Sequence, residues 1–175
     1  ALAAAWPGRT AIPMLHGYLP SLLDGAWVTL RIAVFSLLLA LVLGLLGASS
    51  RLSPNRLLRL PATAYTTIVR GIPDLVMMLL IFYGGQVGIN VLTDALGLEY
   101  VDINPFVAGV ATLGFIFGAY FTETFRGAFM AVPAGQLEAG RAYGMSRWQV
   151  FRRILFPQML RHALPGLGNN WQVMQ

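Results

Sequence analysis

The stretch Glu138-Ala139-Gly140-Arg141-Ala142-Tyr143-Gly144 is a short polar segment between sequences that are too apolar for an ordinary soluble protein. Ile154 stands ten residues after its final glycine, and Pro157 follows three residues later. A membrane protein that devotes this much structured polar sequence to one loop is predicted to use the loop to bind a partner in the cytoplasm.

The residues around this stretch predict two short helices joined by a glycine. Pro133 suits the start of a helix because its missing N–H is not needed there, and Gly144 can adopt the left-handed conformation that ends one. The first helix is therefore predicted over 134–143. Ser146 and Gln149 form a capping box that begins the second helix, which the next proline is expected to end. An ordinary loop between membrane spans, with arginines that only fix the topology, is the alternative.

The composition indicates an integral membrane protein. Of the 175 residues, 57% are hydrophobic and only 11% are charged, against roughly 25% charged in an average soluble domain. All twelve basic residues are arginine, and most of them lie in short segments that flank apolar runs. This placement follows the positive-inside rule, so the net charge of +5 predicts membrane topology and contact with membrane lipid, and no nucleic-acid partner. The chain has no cysteine, which excludes a disulfide framework and a thiolate metal site.

Four apolar runs are predicted to be membrane spans, because about 20 apolar residues cross the roughly 30 Å of bilayer hydrocarbon. The runs lie at about 25–48, at 61–83 with an interruption at 70–74, at 106–125, and from about Leu164 onward. We expect a single membrane domain over residues 1–175. Its predicted fold is an all-α polytopic membrane helical bundle of about five transmembrane helices, of which the last is missing from this chain.

The arginines also predict the orientation of the bundle. The turn at 51–59 holds three arginines and the segment 126–161 holds six, whereas the loop 84–105 holds none and carries Asp94, Glu99 and Asp102. Both arginine-rich segments are therefore expected in the cytoplasm. The acidic loop and the N-terminus are expected outside.

The polar stretch resembles the signature loop of the permease subunits of bacterial ABC importers. That pattern is Glu-Ala-Ala, three variable residues, Gly, nine variable residues, Ile, one variable residue and Leu-Pro. The matching positions here are Glu138, Ala139, Gly144, Ile154 and Pro157. The chain departs from the pattern at Gly140, where the family has alanine, and at Phe156, where it has leucine. Gly140 is expected to loosen the first helix by roughly 1 kcal/mol relative to alanine.

Two further stretches extend the resemblance to nearly the whole chain. Tyr65-Thr66-Thr67-Ile68-Val69-Arg70-Gly71-Ile72-Pro73-Asp74-Leu75 is similar to the second span of the polar amino-acid branch of the family. Gly118-Ala119-Tyr120-Phe121-Thr122-Glu123-Thr124-Phe125-Arg126-Gly127-Ala128 is similar to the same branch. Within that branch the likeness is greatest to permeases for histidine, lysine, arginine and ornithine.

The resemblance implies a role for the segment 133–157 as a cytoplasmic coupling-helix loop. Glu138 and its helix would dock in a groove of a partner ATPase, and Gly144 would be the hinge. The implied partners are two ATPase subunits, a second permease subunit that makes a heterodimer, and a periplasmic or extracellular substrate-binding protein. The implied location is the bacterial inner membrane. ATP and Mg would be bound by the partner ATPase, with no cofactor and no catalytic residue in this chain.

Polar residues inside the predicted spans are candidates for the substrate path. Arg70 lies in the second span with Asp74 four residues later, and an arginine near mid-membrane costs about 2.5–3.5 kcal/mol on insertion scales. Pro73 predicts a kink or break between them, and broken helices often line transporter sites. The alternative is an Arg70–Asp74 ion pair that only holds the bend.

Glu123 and Tyr120 are the candidates in the third span. A carboxylate at Glu123 would suit a cationic substrate, although an ion pair with Arg126 one turn later is the alternative. Tyr120 could pack on a guanidinium or imidazolium group, or serve only in helix packing. No metal site is predicted.

Two alternative functions stay open at this point, and a third is disfavoured. A passive channel or a membrane scaffold would need the polar loop only for topology. An importer for an opine or another polar amino acid would share the resemblance. An intramembrane enzyme is disfavoured, because no serine or threonine has a base nearby.

Overall fold

The computed structural model of the chain describes residues 11–174, with side chains described from residue 18 to residue 173. The first ten residues of the predicted domain 1–175 lie outside the described residues. The described part is helical throughout, without strands. Its helices are α1 Ala11–Leu52, α2 Arg56–Gly71, α3 Asp74–Ala95, α4 Pro105–Met130, α5 Ala134–Ala142, α6 Arg147–Val150, a π-helical turn Phe151–Leu155, and α7 Phe156–Met174.

Three of the described helices are long and apolar enough to cross a membrane. They are Tyr18–Leu52 within α1, which has 35 residues, α3 with 22 residues and α4 with 26 residues. At 1.5 Å per residue each exceeds the roughly 30 Å of a bilayer core. The predicted all-α membrane bundle is therefore confirmed.

The second predicted span, 61–83, is corrected by the structure. The chain leaves the helical conformation at Ile72 and Pro73, so α2 and α3 are two separate helices. Pro73 lacks the N–H that a continuous helix would need, which explains the break. The expected loop from residue 84 is also wrong at its start, because α3 runs on to Ala95.

Two amide side chains explain why α3 continues through polar sequence. Gln86 donates from Nε2 to the carbonyl of Val101 at 2.6 Å and accepts the N–H of Ile103 at 2.9 Å. Asn90 accepts the N–H of Val101 at 2.9 Å. These bonds hold the extended segment before α4 against α3. The polar groups of Gln86 and Asn90 therefore have hydrogen-bond partners within the protein, and the loop between α3 and α4 is shorter than expected.

The core of the bundle is the long contact between α1 and α4, which depends on glycines. A Cβ added at Gly44 of α1 would stand 2.5 Å from the Cβ of Phe121, and one added at Gly114 of α4 would stand 2.5 Å from Cδ2 of Leu39. Small residues let helix backbones approach closely, and such packing is a main force between helices in lipid. The two helices are therefore held closer than side chains at these positions would allow.

The end of the second hairpin helix is corrected as well. Pro157 was expected to end it, but the helical path continues through the π-helical turn into α7. In that turn the N–H of Phe156 bonds to the carbonyl of Phe151, five residues back. A π-helical turn takes up one extra residue, and here it ends two residues before Pro157, which has no N–H to donate. The span expected from about Leu164 thus lies within a helix that begins at Phe156, and α7 is not among the three described helices that are long and apolar enough to cross a membrane.

Candidate functional site

The hairpin that carries the signature loop has the local structure its residues predict. α5 ends at Ala142, and Gly144 follows with a φ of +81°, in the left-handed region. The side chain of Ser146 accepts the N–H of Gln149 at 3.3 Å, and the amide of Gln149 accepts the N–H of Ser146 at 2.8 Å. Both the glycine turn and the capping box are confirmed, so the two short helices have defined ends.

Gly140 has a packing role that its helix propensity alone does not reveal. The residue is buried, and an added Cβ would stand 2.6 Å from Cδ1 of Ile154 and 3.4 Å from Cγ2 of Val150. The absent side chain lets α5 lie directly against the π-helical turn. The loosening of the helix that glycine is expected to cause is thus opposed by the close packing of α5 on the π-helical turn. Positions 140 and 154 of the signature loop therefore meet across the hairpin.

The remaining loop residues present a surface. Glu138 and Ala139 are exposed on α5, and Pro157 is the second residue of α7. Beyond the family pattern, Tyr143 is 88% exposed and Trp148 is 65% exposed, and the Trp148 ring stacks on Phe151 at 5.6 Å between centroids. A carboxylate and two large aromatic rings therefore lie on the outside of the hairpin.

At the break between α2 and α3, Tyr120 of α4 contacts both charged residues. Its hydroxyl donates to Oδ1 of Asp74 at 2.8 Å, and the Cζ atom of Arg70 lies 5.4 Å from the centre of its ring. The alternative of an Arg70–Asp74 ion pair is wrong, because the ion pairs in the described part of the chain both use Glu123. Tyr120 therefore contacts both the Arg70 guanidinium and the Asp74 carboxylate, which do not form an ion pair with each other.

Glu123 is held by two arginines from different helices. Arg126, three residues later on α4, donates from Nε at 2.9 Å, and Arg51 at the end of α1 donates to the other carboxylate oxygen. Arg51 also donates to the hydroxyl of Thr66 on α2 at 2.6 Å. The expected partner Arg126 is present, while Arg51 and Thr66 were missed. Both lie far from Glu123 in sequence, and only the basic turn at 51–59 pointed to Arg51.

A polar cavity of about 250 Å³ lies beside this cluster. Its lining residues come from α1, α2 and α4, and they are Arg51, Thr66, Thr67, Arg70, Gly71 and Glu123. Since Glu123 already neutralises part of the charge of two arginines, the cavity as a whole is positive. It suits an anionic group better than a cationic one.

α7 is tied to α4 next to these residues. The amide of Asn170 donates to the hydroxyl of Thr124 at 3.1 Å, and Thr124 donates to the carbonyl of Tyr120 at 3.1 Å. Gly166 permits the approach, because an added Cβ would stand 2.7 Å from Cγ2 of Thr124. The helix that follows the hairpin is therefore bonded to the helix that carries Tyr120 and Glu123. The sequence had not predicted this contact.

Comparisons with known proteins agree with this architecture. Residues 36–174 match the family model described as binding-protein-dependent transport system inner membrane component. The chain is 60% identical over 161 residues to the histidine/lysine/arginine/ornithine transport system permease protein HisQ of Escherichia coli (strain K12), covering 92% of this chain and 71% of that protein. It is 39% identical to the octopine transport system permease protein OccQ of Rhizobium meliloti, covering 90% of this chain and 67% of that protein.

A solved structure has the same fold. The crystal structure of an amino acid ABC transporter with histidines superimposes with a TM-score of 0.74 at 32% identity, covering 92% of this chain and 70% of that chain. The family match extends over most of the chain, and HisQ of Escherichia coli is matched over 71% of its length. This chain therefore belongs to the family of binding-protein-dependent transport system inner membrane components, the permeases of ABC importers.

Proposed function

We propose that this chain is the transmembrane permease subunit of an ATP-driven importer for basic amino acids, namely histidine, lysine, arginine and ornithine. The observation that carries the proposal is the 60% identity to HisQ over 92% of the chain. Identity falls to 39% for the octopine permease and 42% for a nopaline permease. An importer of basic amino acids is thus a better assignment than an importer of opines.

The hairpin supports a coupling role. α5 carries the exposed Glu138, and the glycine turn and capping box give it a fixed shape. In the proposed complex this surface docks on an ATPase subunit, one copy on each permease, and the ATPases bind ATP and Mg. Hydrolysis moves the hairpin, and α7 passes the motion to α4 through Asn170 and Thr124. The permease itself contributes no catalytic residue.

The location, orientation and partners that we propose are consistent with the distribution of charged residues along the chain. We place the chain in the bacterial inner membrane as a multi-pass protein with its N-terminus outside, because the arginine-rich segments belong in the cytoplasm. A second permease subunit completes the path as a heterodimer. The exposed carboxylates of Asp94, Glu99 and Asp102 face the side from which a substrate-binding protein delivers its ligand.

A passive channel or scaffold is the alternative from another class. It needs no defined hairpin, because arginines alone would fix its topology. The capped ends, the left-handed glycine and the close fit of Gly140 against Ile154 favour a loop that transmits force.

The test is the ATPase activity of the complete complex reconstituted in proteoliposomes. Activity is measured with and without loaded binding protein, across basic and neutral amino acids. We expect arginine, lysine and histidine to stimulate hydrolysis and Glu138→Arg to abolish the stimulation. Asp24→Arg is the matched control, since it makes the same charge reversal at an exposed position of α1. Failure to assemble with any ATPase subunit would refute the importer assignment. Stimulation by neutral amino acids alone would refute the substrate class.

A further inference from the structure

We propose that an exposed apolar stripe along the second hairpin helix and α7 lies at the membrane surface, where the arginines beside it bind the headgroups of anionic phospholipids. The exposed stripe consists of Trp148, Phe156, Leu160 and Leu164. The proposal rests on the proposed membrane location. It goes beyond the proposed function by assigning a lipid partner to a surface other than that of α5, which is proposed to dock on the ATPase.

The first observation is that the exposed stripe is continuous. Its four side chains are between 38% and 65% exposed. The half-buried ring of Phe151 joins the first two members, because its centre lies 5.6 Å from that of Trp148 and 5.9 Å from that of Phe156. The other two members follow Phe156 at intervals of four residues, which places them on one side of α7. An apolar surface therefore runs from the hairpin along the first half of α7.

The second observation is that the other sides of α7 differ from the exposed stripe. Met159 and Ala163 are buried, whereas Arg161 and His162 are exposed. His162 lies about 200° round the helix from Leu160, so it is on the side opposite the stripe. α7 is not among the three described helices that are long and apolar enough to cross a membrane. An apolar side of Trp, Phe and Leu, a basic polar side and modest overall hydrophobicity are typical of helices at the membrane interface.

The third observation is the depth of the exposed stripe. Met159 and Ala163 belong to the same buried cluster as Phe125, Ala128 and Val132, which lie at or just after the end of α4. α4 is long enough to span the bilayer, so its end lies close to a membrane surface. Because the first turns of α7 pack there, the stripe lies at the level of the headgroups, which tryptophan rings favour.

The fourth observation is the charge beside the exposed stripe. Up to and including Glu138 the chain has seven arginines and seven acidic residues, whereas after it there are five arginines and no acidic residue. The whole net charge of +5 therefore lies after Glu138, in the hairpin and the segment that follows it. Both ion pairs in residues 18–173 use Glu123 and involve none of these five arginines. Four of the five are exposed within or beside the stripe, and they are Arg147, Arg152, Arg153 and Arg161.

An anionic lipid fits this combination better than a protein partner does. At the membrane surface acyl chains and phosphate groups lie side by side, and the exposed stripe and its arginines also lie side by side. A protein would have to supply both an apolar groove for a ridge one side chain wide and carboxylates for the arginines. The second permease subunit and the ATPase are the protein alternatives, which the experiment distinguishes from lipid.

The experiment places a fluorescent label on the exposed stripe. The chain has no cysteine, so Leu160→Cys carries a single nitrobenzoxadiazole label in a complete complex whose other subunits are cysteine-free. His162→Cys is the matched control, since it is exposed on the opposite side of the same helix. The complex is reconstituted in vesicles of equal parts phosphatidylcholine and phosphatidylglycerol. Quenching of the label is measured with doxyl-labelled phosphatidylcholine, with doxyl-labelled phosphatidylglycerol and with aqueous iodide.

We expect the doxyl lipids to quench the label at position 160, and iodide to quench the label at position 162. Phosphatidylglycerol should quench the label at position 160 more strongly than phosphatidylcholine does. In Arg152→Gln/Arg153→Gln this preference should fall by about fivefold for each arginine, the equivalent of about 1 kcal/mol. Arg56→Gln/Arg59→Gln, which removes two exposed arginines from the other basic turn, should leave the preference unchanged.

Three results would overturn the proposal. A label at position 160 that is shielded from both lipid and iodide shows that a protein subunit covers the stripe. Quenching of that label by iodide places the stripe in water. Equal quenching of that label by the two lipids, or an unchanged preference in the double variant, shows that the arginines select no anionic lipid. Size-exclusion chromatography checks assembly, and if Leu160→Cys does not assemble, Leu164→Cys replaces it with the same criteria.

The outcomes separate this proposal from the proposed function. If the wild-type chain assembles with no ATPase subunit, the importer assignment fails. The labelled permease is then reconstituted alone, and the same quenching pattern still supports the lipid site. If the complex assembles and its ATPase responds to basic amino acids while the label at position 160 is shielded from lipid, the importer assignment stands and the lipid site is wrong.

Discussion

Replacing Gly44 by alanine should push α1 away from α4. Gly44 faces α4, where an added Cβ would stand 2.5 Å from the Cβ of Phe121 and 3.1 Å from the carbonyl carbon of the same residue. Neither atom can move by rotation of a side chain, because one is the first side-chain atom and the other belongs to the backbone. The helices must therefore separate along part of their contact.

The expected size follows from two opposing terms. Alanine is favoured over glycine within a helix by about 1 kcal/mol. Overpacking in a well-packed core costs about 1–3 kcal/mol. Gly25→Ala on the same helix has the first term alone, since no atom lies within 4 Å of its added Cβ. The difference between the two variants isolates the packing term, so Gly44→Ala should be less stable than Gly25→Ala by about 1–3 kcal/mol.

The assay is equilibrium unfolding of the purified permease in mixed detergent micelles, followed by helical circular dichroism. Both variants and the wild-type protein are measured under the same conditions. Equal stability of Gly44→Ala and Gly25→Ala would refute the reasoning, because the approach of α1 to α4 would then not depend on the missing side chain.

Substitutions at Glu123, in the hairpin contact of Gly140 and at Gly144 test other features described above. Glu123→Gln should lower the free energy of unfolding by about 1–3 kcal/mol, because two guanidinium groups lose a charged acceptor; unfolding in micelles measures this. Gly140→Ala should change the stability of the hairpin by less than about 1 kcal/mol, because the gain in helix propensity offsets the displacement of the Ile154 Cδ1 methyl group, the far end of a flexible side chain. Gly140→Ala combined with Ile154→Val, which removes that methyl group, should be more stable than Ile154→Val alone by about 1 kcal/mol. Gly144→Ala should cost about 1–2 kcal/mol through its left-handed backbone, and Gly144→Asn should cost less by the same measurement.

The features that sequence analysis predicted well depend on neighbouring residues. The apolar runs gave the membrane helices because hydrophobic length is read directly from the chain. The hairpin was predicted because a capping box and a helix-ending glycine act over three or four residues. The break before Asp74 was predicted for the same reason, since a proline affects its own turn of helix.

The features that were missed depend on distant residues. The partner of Glu123 on α1 is 72 residues away, and no local pattern specifies which arginine reaches it. α3 continues past Tyr83 because Gln86 and Asn90 bond to the segment before α4, which makes polar residues compatible with the helix. Pro157 does not end its helix because the π-helical turn before it accommodates the missing donor. In each case a tertiary contact or a change of helical register decided the outcome.

The ion pair between α1 and α4 has a consequence for how the protein is made. Ribosomes add roughly 5–20 residues per second, so the 72 residues between Arg51 and Glu123 take roughly 4–14 s to synthesise. During that time Arg51 has entered the nascent bundle and its carboxylate has not been translated. A lone arginine at a membrane edge is tolerated by reaching toward the interface. The ion pair that joins the end of α1 to α4 can therefore form only after α4 has been translated.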